Sequence, residues 1–140
     1  MIRKRPLPSD IDARLATLGD VLRGCPGLVF AYLFGGAAKG RLTPSSDVDV
    51  AAFFDGRCEL LEARLEATRR VTRHLGTDEV DLVVLNIAPT SLLGRILGTR
   101  RVLCDGDPFL RHRFESKALR EFFDFRIFEQ RLLERKLGRG

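Results

Sequence analysis

The sequence contains few of the residues that build disulfide frameworks or zinc sites. Its three cysteines, Cys25, Cys58 and Cys104, are widely separated, form no CxxC pair and are accompanied by only two histidines. An odd number of scattered cysteines fits neither a disulfide framework nor a zinc site. We therefore expect buried or unreactive thiols.

Long hydrophobic runs are also missing. No uninterrupted apolar stretch approaches the roughly 20 residues that a membrane span requires. The start, MIRKRPLPSD, reaches prolines where a signal peptide would become apolar. These two absences predict a cytoplasmic protein without a membrane partner.

The charge is positive but not concentrated. A formal net charge of +5 favours anionic partners such as nucleotides or acidic protein surfaces. The basic residues are dispersed among 19 acidic ones, and no basic run is interleaved with aromatics. This pattern favours a solvated mixed surface, and we expect no direct binding of nucleic acid.

The order of patterns predicts one α/β domain over residues 1–140, since 44% hydrophobic content can fill a modest core. Helical periodicity marks four segments, and apolar or alternating runs mark four strands. The predicted helices cover residues 11–23, 60–75, about 90–97 and from 107 onward; the predicted strands cover residues 28–34, 47–54, 79–86 and 100–104. The pattern does not decide which strands pair in parallel.

The last predicted helix carries six phenylalanines, spread too widely for one narrow stripe. Aromatic residues at helical spacing are usually part of a core, so we assign Phe114, Phe122 and Phe125 to it. Phe123 and Phe128 are candidates for an interface with a partner.

Two aspartates begin the second predicted strand, in the segment DVDVAAFF. Side chains alternate along a strand, so Asp47 and Asp49 point the same way with Cα atoms about 6.6 Å apart. No basic neighbour at i±2 neutralises them, and Mg²⁺ is the cation that such carboxylates suit. Asp81 begins the next apolar strand, and a third ligand would complete a two-metal site.

Two glycines end the first predicted strand. Gly35 and Gly36 lack Cβ, so their backbone N–H groups could approach phosphate oxygens. Lys39 and Ser46 could add charge and hydrogen bonds to a nucleotide. Each feature alone has a plainer reading: a turn for the glycines, a solvated loop or cap for the aspartate pair, an edge acid for Asp81.

Their order is more specific. The arrangement resembles that of the polymerase-β-like nucleotidyltransferase superfamily. It consists of a hydrophobic residue, two glycines, ten further residues, Asp-x-Asp on a strand and another aspartate on a later strand. The short chain and the segments LNIAP, RRVLCDGDP and RFESKALREFFDF resemble the minimal nucleotidyltransferases encoded beside HEPN-domain ribonuclease toxins. The resemblance implies a small mixed sheet of about four strands flanked by helices, with a long C-terminal helix.

The resemblance further implies an antitoxin that uses ATP and two Mg²⁺ ions to transfer AMP to a tyrosine of the HEPN toxin. Asp47, Asp49 and Asp81 would then be catalytic residues and metal ligands. Nucleotide binding would fall to a second set, Gly35, Gly36, Lys39 and Ser46. Larger relatives carry further substrate-holding domains, so we expect a macromolecular partner to supply the missing half.

One departure from the family pattern bears on activity. GSRARG is usual where this chain has GGAAKG, so a serine and an arginine are missing at Gly36 and Ala37. We expect weaker activity or an altered choice of nucleotide. Two alternatives stay open: an antitoxin that only binds its toxin through the phenylalanine-rich helix, and transfer to a small molecule held in a pocket made by dimerisation.

Overall fold

The computed structural model of the chain describes residues 6–43 and 46–138. Within them, six α-helices and four strands follow one another, with one turn of 3-10 helix at Leu85–Ile87. In chain order they are α1 (Ile11–Ala16), α2 (Leu18–Arg23), β1 (Leu28–Phe34), α3 (Gly35–Ala38), β2 (Val48–Phe54), α4 (Leu60–Leu75), β3 (Val80–Val84), α5 (Thr90–Thr99), β4 (Arg101–Asp105) and α6 (Pro108–Leu137).

The four strands form one mixed sheet in the order β3-β2-β1-β4. Strand β1 lies antiparallel to both β2 and β4, whereas β2 and β3 run parallel with α4 as their crossover. A parallel pair needs such a crossover because its strand ends lie on opposite edges of the sheet. The predicted mixed sheet with flanking helices and a long last helix is confirmed.

The sheet is covered on both faces. Helices α1, α2 and α4 pack on one face, against alternate residues such as Leu33, Val50 and Leu82. Helices α5 and α6 pack on the other face, against Tyr32 and Ala51. Because strand residues alternate, Asp49 lies on the same face as Ala51, under α5 and α6.

Helix ends agree with the capping signals in the sequence. The Glu59 side chain accepts the N–H of Glu62 at 2.7 Å, and α4 ends at Gly76 with a left-handed φ of 70°. The Asp107 side chain accepts the N–H of Leu110 at 3.1 Å at the start of α6. Side-chain caps of this kind satisfy backbone donors that have no partner within the helix.

Two sequence predictions of secondary structure are wrong. The single helix predicted over residues 11–23 is broken at Thr17, where the backbone leaves helical geometry at φ −108° and ψ 3°. The Thr17 hydroxyl donates to the Arg14 carbonyl oxygen at 3.3 Å and lies 2.8 Å from Nε2 of His74. Residues 35–46, for which the sequence predicts neither a helix nor a strand, begin with the short helix α3.

The cysteines agree with expectation. Cys25 and Cys104 are buried and Cys58 is partly buried, and all three are free thiols. Burial raises the pKa of Cys25, and burial raises that of Cys104 to about 11. At neutral pH neither buried thiol is ionised to an extent that would make it a nucleophile.

A buried ionic cluster fixes the first half of α6 to the sheet. Glu115, only 5% exposed, accepts hydrogen bonds from the Tyr32 hydroxyl at 2.7 Å and from Arg100 and Arg111 at 3.0 Å each. Burial alone would raise the pKa of Glu115, but these three partners outweigh burial and lower it. The cluster therefore holds an ionised carboxylate between two guanidinium groups.

Replacing Glu115 by alanine is expected to lower the free energy of unfolding by about 3 kcal/mol, because the partly buried Arg100 loses its carboxylate partner, while Arg111 keeps its ion pair with Asp105 at 2.7 Å. Urea titration at pH 7 measures this change. Because the pKa of Glu115 is lowered on folding, its carboxylate stabilises the fold at pH values above its ordinary pKa of 4.5. That stabilisation is lost as the pH falls through the pKa of the folded state. The wild-type advantage should therefore shrink below pH 4.5. An equal difference at every pH would contradict the ionic explanation.

The second half of α6 leaves the body of the molecule. Phe114 packs against Phe53 with ring centroids 5.3 Å apart, and Phe122 is partly buried against Gly94, so two of the predicted core positions are confirmed. Phe125 is 38% exposed, so its assignment to the core is wrong: the body of the domain ends before it along the helix. The predicted interface candidates Phe123 and Phe128 are exposed. Among the described residues, no helix has the length and apolarity that crossing a membrane would take.

Candidate active site

The acidic residues meet at the edge where β2 begins. Asp49 stands in register with Asp81 on the parallel strand β3 and with Phe34 on the antiparallel strand β1. Neighbouring strands are about 4.8 Å apart, so in-register side chains on the same face are adjacent. The structure therefore brings together two of the predicted aspartates, which are separated by more than thirty residues in sequence.

The charges of the three aspartates affect one another. Burial raises the pKa of the partly buried Asp49, and the negative charges of Asp81 and Asp47 raise it further. The positive charge of Arg95 on α5 acts in the opposite direction without cancelling the rise. Asp47 and Asp81 are themselves exposed at the mouth of the site. Such a cluster of like charges is unfavourable without a counter-ion.

The donor set suits a hard cation. Carboxylate oxygens without nearby thiols or imidazoles are typical of Mg²⁺ sites, in which one or two carboxylates bind the ion and substrate phosphates complete its shell. In the part of the chain that the structure describes, no three or more His, Cys, Asp and Glu side chains are assembled closely enough to hold a metal ion. The predicted three-aspartate set is thus not a preformed cage. The residues fit Mg²⁺ chemically, with the adjacent pair Asp49 and Asp81 as the core of a site.

Gly35 is required by the geometry around Asp49. Its φ of 68° lies in the left-handed region that other residues rarely adopt. A Cβ at this position would stand 2.7 Å from Oδ2 of Asp49. The missing side chain therefore leaves the space that the Asp49 carboxylate occupies.

The backbone amide of Gly35 is already engaged. It donates to Oγ1 of Thr99, at the end of α5, at 3.0 Å. A phosphate-binding role for this N–H group would require that bond to break. Gly36 is exposed in the first turn of α3, and its carbonyl oxygen accepts the N–H of Arg41 at 2.8 Å.

The two other predicted nucleotide contacts lie in the segment between α3 and β2. Lys39 is exposed directly after α3. The Ser46 hydroxyl accepts the N–H of Thr43 at 2.9 Å, so it helps to close the turn before β2. The roles of Lys39 and Ser46 in binding a nucleotide stay predictions.

Sequence reasoning missed the contribution of α5. Thr99 anchors this helix to Gly35, and Arg95, one turn earlier, lies within electrostatic reach of Asp49. The available signal was weak: two polar side chains spaced i, i+4 in the segment TSLLGRILGT. Such a pair on a mostly apolar helix can mark a face that meets a polar site.

Replacing Gly35 by alanine is expected to reduce the nucleotidyl transfer that the motif predicts by about 100-fold. A shift of a catalytic group by about 1 Å can lower a rate by that factor. The new methyl group would push the Asp49 carboxylate aside. The matched control is Gly56→Ala, in the exposed turn after β2, where an added Cβ would meet no atom within 4 Å. Initial rates for the two purified variants test the prediction, and equal losses in both would contradict it.

Comparison with known families agrees with this geometry. Residues 17–109 match the family model described as Polymerase beta, Nucleotidyltransferase. The match covers more than half of the 140 residues, so the chain belongs to this nucleotidyltransferase family. No curated protein sequence gives a significant match.

Several solved structures share the fold. A chain in a crystal structure of a toxin-antitoxin with AMP-PNP is 25% identical with a TM-score of 0.70, and the match covers 88% of this chain and 98% of that one. A chain in a mutant MntA-HpeT toxin-antitoxin structure is 27% identical with a TM-score of 0.66, with coverage of 84% and 93%. A third match is a chain in the structure of the tri-AMPylated Shewanella oneidensis HEPN toxin in complex with MNT antitoxin, with 23% identity and a TM-score of 0.66. The match covers 91% of this chain and 98% of that one, and it supports the fold alone.

Proposed function

We propose that this chain is an antitoxin that transfers AMP from ATP to a tyrosine of a HEPN ribonuclease toxin and thereby neutralises it. The observation that carries the proposal is the acidic edge of the sheet, where Asp49 and Asp81 stand in register beside Gly35. The likeness to a toxin-antitoxin chain crystallised with AMP-PNP supports both the nucleotide and the kind of partner. We treat residues 1–140 as one minimal nucleotidyltransferase domain, and its cytoplasmic location stays a prediction.

In the proposed reaction, the tyrosine oxygen attacks the α-phosphorus of ATP and pyrophosphate leaves. Bound Mg²⁺, in a two-ion site held by Asp47, Asp49 and Asp81, would supply the positive charge that the phosphates require. Asp81, which is exposed at the mouth of the site, would accept the phenolic proton or hold the group that does. Gly35 keeps the Asp49 carboxylate in position, and Gly36, Lys39 and Ser46 contact the nucleotide.

The partner is proposed to dock on α6. Beyond the body of the molecule this helix exposes apolar side chains that include Phe125, Phe128 and Leu132. Their i, i+3, i+7 spacing places these three on one helical face. A contiguous patch of large exposed apolar residues indicates an interaction surface, whereas single scattered apolar residues do not.

A groove continues this surface toward the body. It has a volume of about 820 Å³ and lies between α6 and the segment that leads into α5. Its lining includes the aromatic side chains of Phe53 and Phe114 and the exposed basic residues Arg113 and Lys117. A partner helix with apolar residues flanked by acidic ones would complement both the groove and the exposed face.

The exposed face of α6 also favours a second candidate function, in which the chain silences its toxin by binding alone. The two functions are distinguished by the toxin purified after co-expression with this chain. Intact-mass and peptide mass spectrometry should find AMP on a tyrosine with the wild type and no adduct with the Asp47→Ala, Asp49→Ala double variant. An unmodified toxin that is nevertheless inactive in a stable complex with either version would establish the binding-only function.

A further inference from the structure

Helix α5 lies against the acidic site through its last turn. The Thr99 hydroxyl accepts the Gly35 N–H at 3.0 Å and donates to the Arg95 carbonyl oxygen at 3.4 Å. Gly35 in turn leaves the space that Oδ2 of Asp49 occupies. Residues four apart share one face of a helix, so Arg95 and Thr99 both belong to the side of α5 that meets this site.

The guanidinium group of Arg95 forms no ion pair within the described residues. Among residues 6–43 and 46–138 it has no carboxylate partner at salt-bridge distance and no side-chain hydrogen bond. Arg95 is exposed, and its positive charge acts to lower the pKa of Asp49. The neighbouring Arg100 differs, since it pairs with Glu115 at 3.0 Å. Arg95 is thus a cation that acts on Asp49 and has guanidinium donors available to an anion that enters the site.

Helix α3, which follows β1 at this point, carries no charged side chain. Ala37 is 4% exposed and apolar, and the amide of Gly35 is occupied by Thr99. A nucleoside triphosphate carries most of its negative charge on the phosphates beyond the transferred AMP. A guanidinium group recognises phosphate oxygens through two parallel N–H donors, which a lysine cannot reproduce.

We propose that Arg95 binds the β- and γ-phosphates of ATP and stabilises the departing pyrophosphate; this rests on the proposed function. The tyrosine oxygen forms a bond to the α-phosphorus while the bond from that phosphorus to the oxygen bridging to the β-phosphate breaks. Pyrophosphate leaves with the electron pair, and the phenolic proton passes to Asp81 or through it to water. Arg95 compensates the charge that accumulates on the leaving group.

Nucleotide binding to the free protein tests this role without depending on turnover. Titrations of ATP and AMP with Mg²⁺, by calorimetry, should show that Arg95→Gln weakens ATP binding by about 10-fold or more, as the loss of a charge-assisted phosphate contact predicts. AMP binding should change little, since AMP lacks the β- and γ-phosphates. Arg95→Lys should recover only part of the ATP affinity. Arg73→Gln, an exposed arginine on α4, is the matched control and should leave both affinities unchanged.

Each other outcome is decisive. The role of Arg95 would be overturned by unchanged ATP affinity in Arg95→Gln, or by equal losses for ATP and AMP with an unchanged melting temperature. Either result would leave the proposed function standing. A wild-type protein that binds no ATP would overturn the proposed function and this role with it. If Arg95→Gln does not fold, Arg95→Lys provides the same comparison, because full ATP affinity in that variant would contradict a bidentate contact.

Discussion

Replacing Asp49 by asparagine is expected to reduce AMP transfer by about 10³-fold or more. The carboxylate would hold the cation that stabilises the charge of the transition state, a contribution of several kcal/mol. Asparagine keeps the size of the side chain and removes its charge. Initial rates of transfer to the purified partner measure the loss. A matched control is Asp78→Asn, since Asp78 is an exposed acid that lies two residues before β3.

The same substitution should make the free protein more stable. Burial and the charges of Asp81 and Asp47 raise the pKa of Asp49, so its ionisation at neutral pH costs folding free energy. Asparagine removes that cost, and the melting temperature without Mg²⁺ should rise. A variant that loses both activity and stability would indicate a structural role for Asp49 in place of the proposed catalytic one.

A second large effect is expected on α6, where Phe125→Glu with Phe128→Glu should weaken the complex with the toxin by about 100-fold or more. Large aromatic residues at the centre of an interface often contribute 2–4 kcal/mol each. Both side chains are exposed in the isolated chain, so the substitutions remove no core packing there. Surface plasmon resonance with the purified toxin measures the affinity.

The control for this surface is Gln130→Glu, an exposed position two residues from Phe128, which helical spacing places on a different face from it. It introduces one negative charge without touching the apolar face and should change the affinity less than 3-fold, as rim charges usually do. Affinity for ATP should be the same in all three proteins. Unimpaired toxin binding by the double variant would show that the partner docks elsewhere.

The strands and the long last helix were predictable from sequence because their signals are local. Alternating and continuous apolar runs marked the strands, and Asp107 with Pro108 marked the start of α6. The break at Thr17 was not predictable, since the apolar stripe continues through it and the break depends on a contact with His74. Phe125 was misplaced because helical spacing does not reveal where along a helix the rest of the domain ends.

The site was predictable as a set of residues and not as an arrangement. The motif marked Asp47, Asp49 and Asp81, but the neighbouring position of Asp49 and Asp81 depends on the parallel register of β2 and β3, which the pattern left open. The engagement of the Gly35 amide and the position of Arg95 depend on how α5 docks. These are tertiary contacts between segments more than forty residues apart.

The central claim is that this chain moves AMP onto its partner through the acidic edge of the sheet. The most direct test incubates the purified toxin with Mg²⁺ and ATP labelled with ³²P at either the α- or the γ-phosphate, with wild type or the Asp47→Ala, Asp49→Ala variant. We expect label on the toxin from α-labelled ATP with the wild type only, and none from γ-labelled ATP. Label from γ-labelled ATP, or equal labelling by the variant, would contradict it.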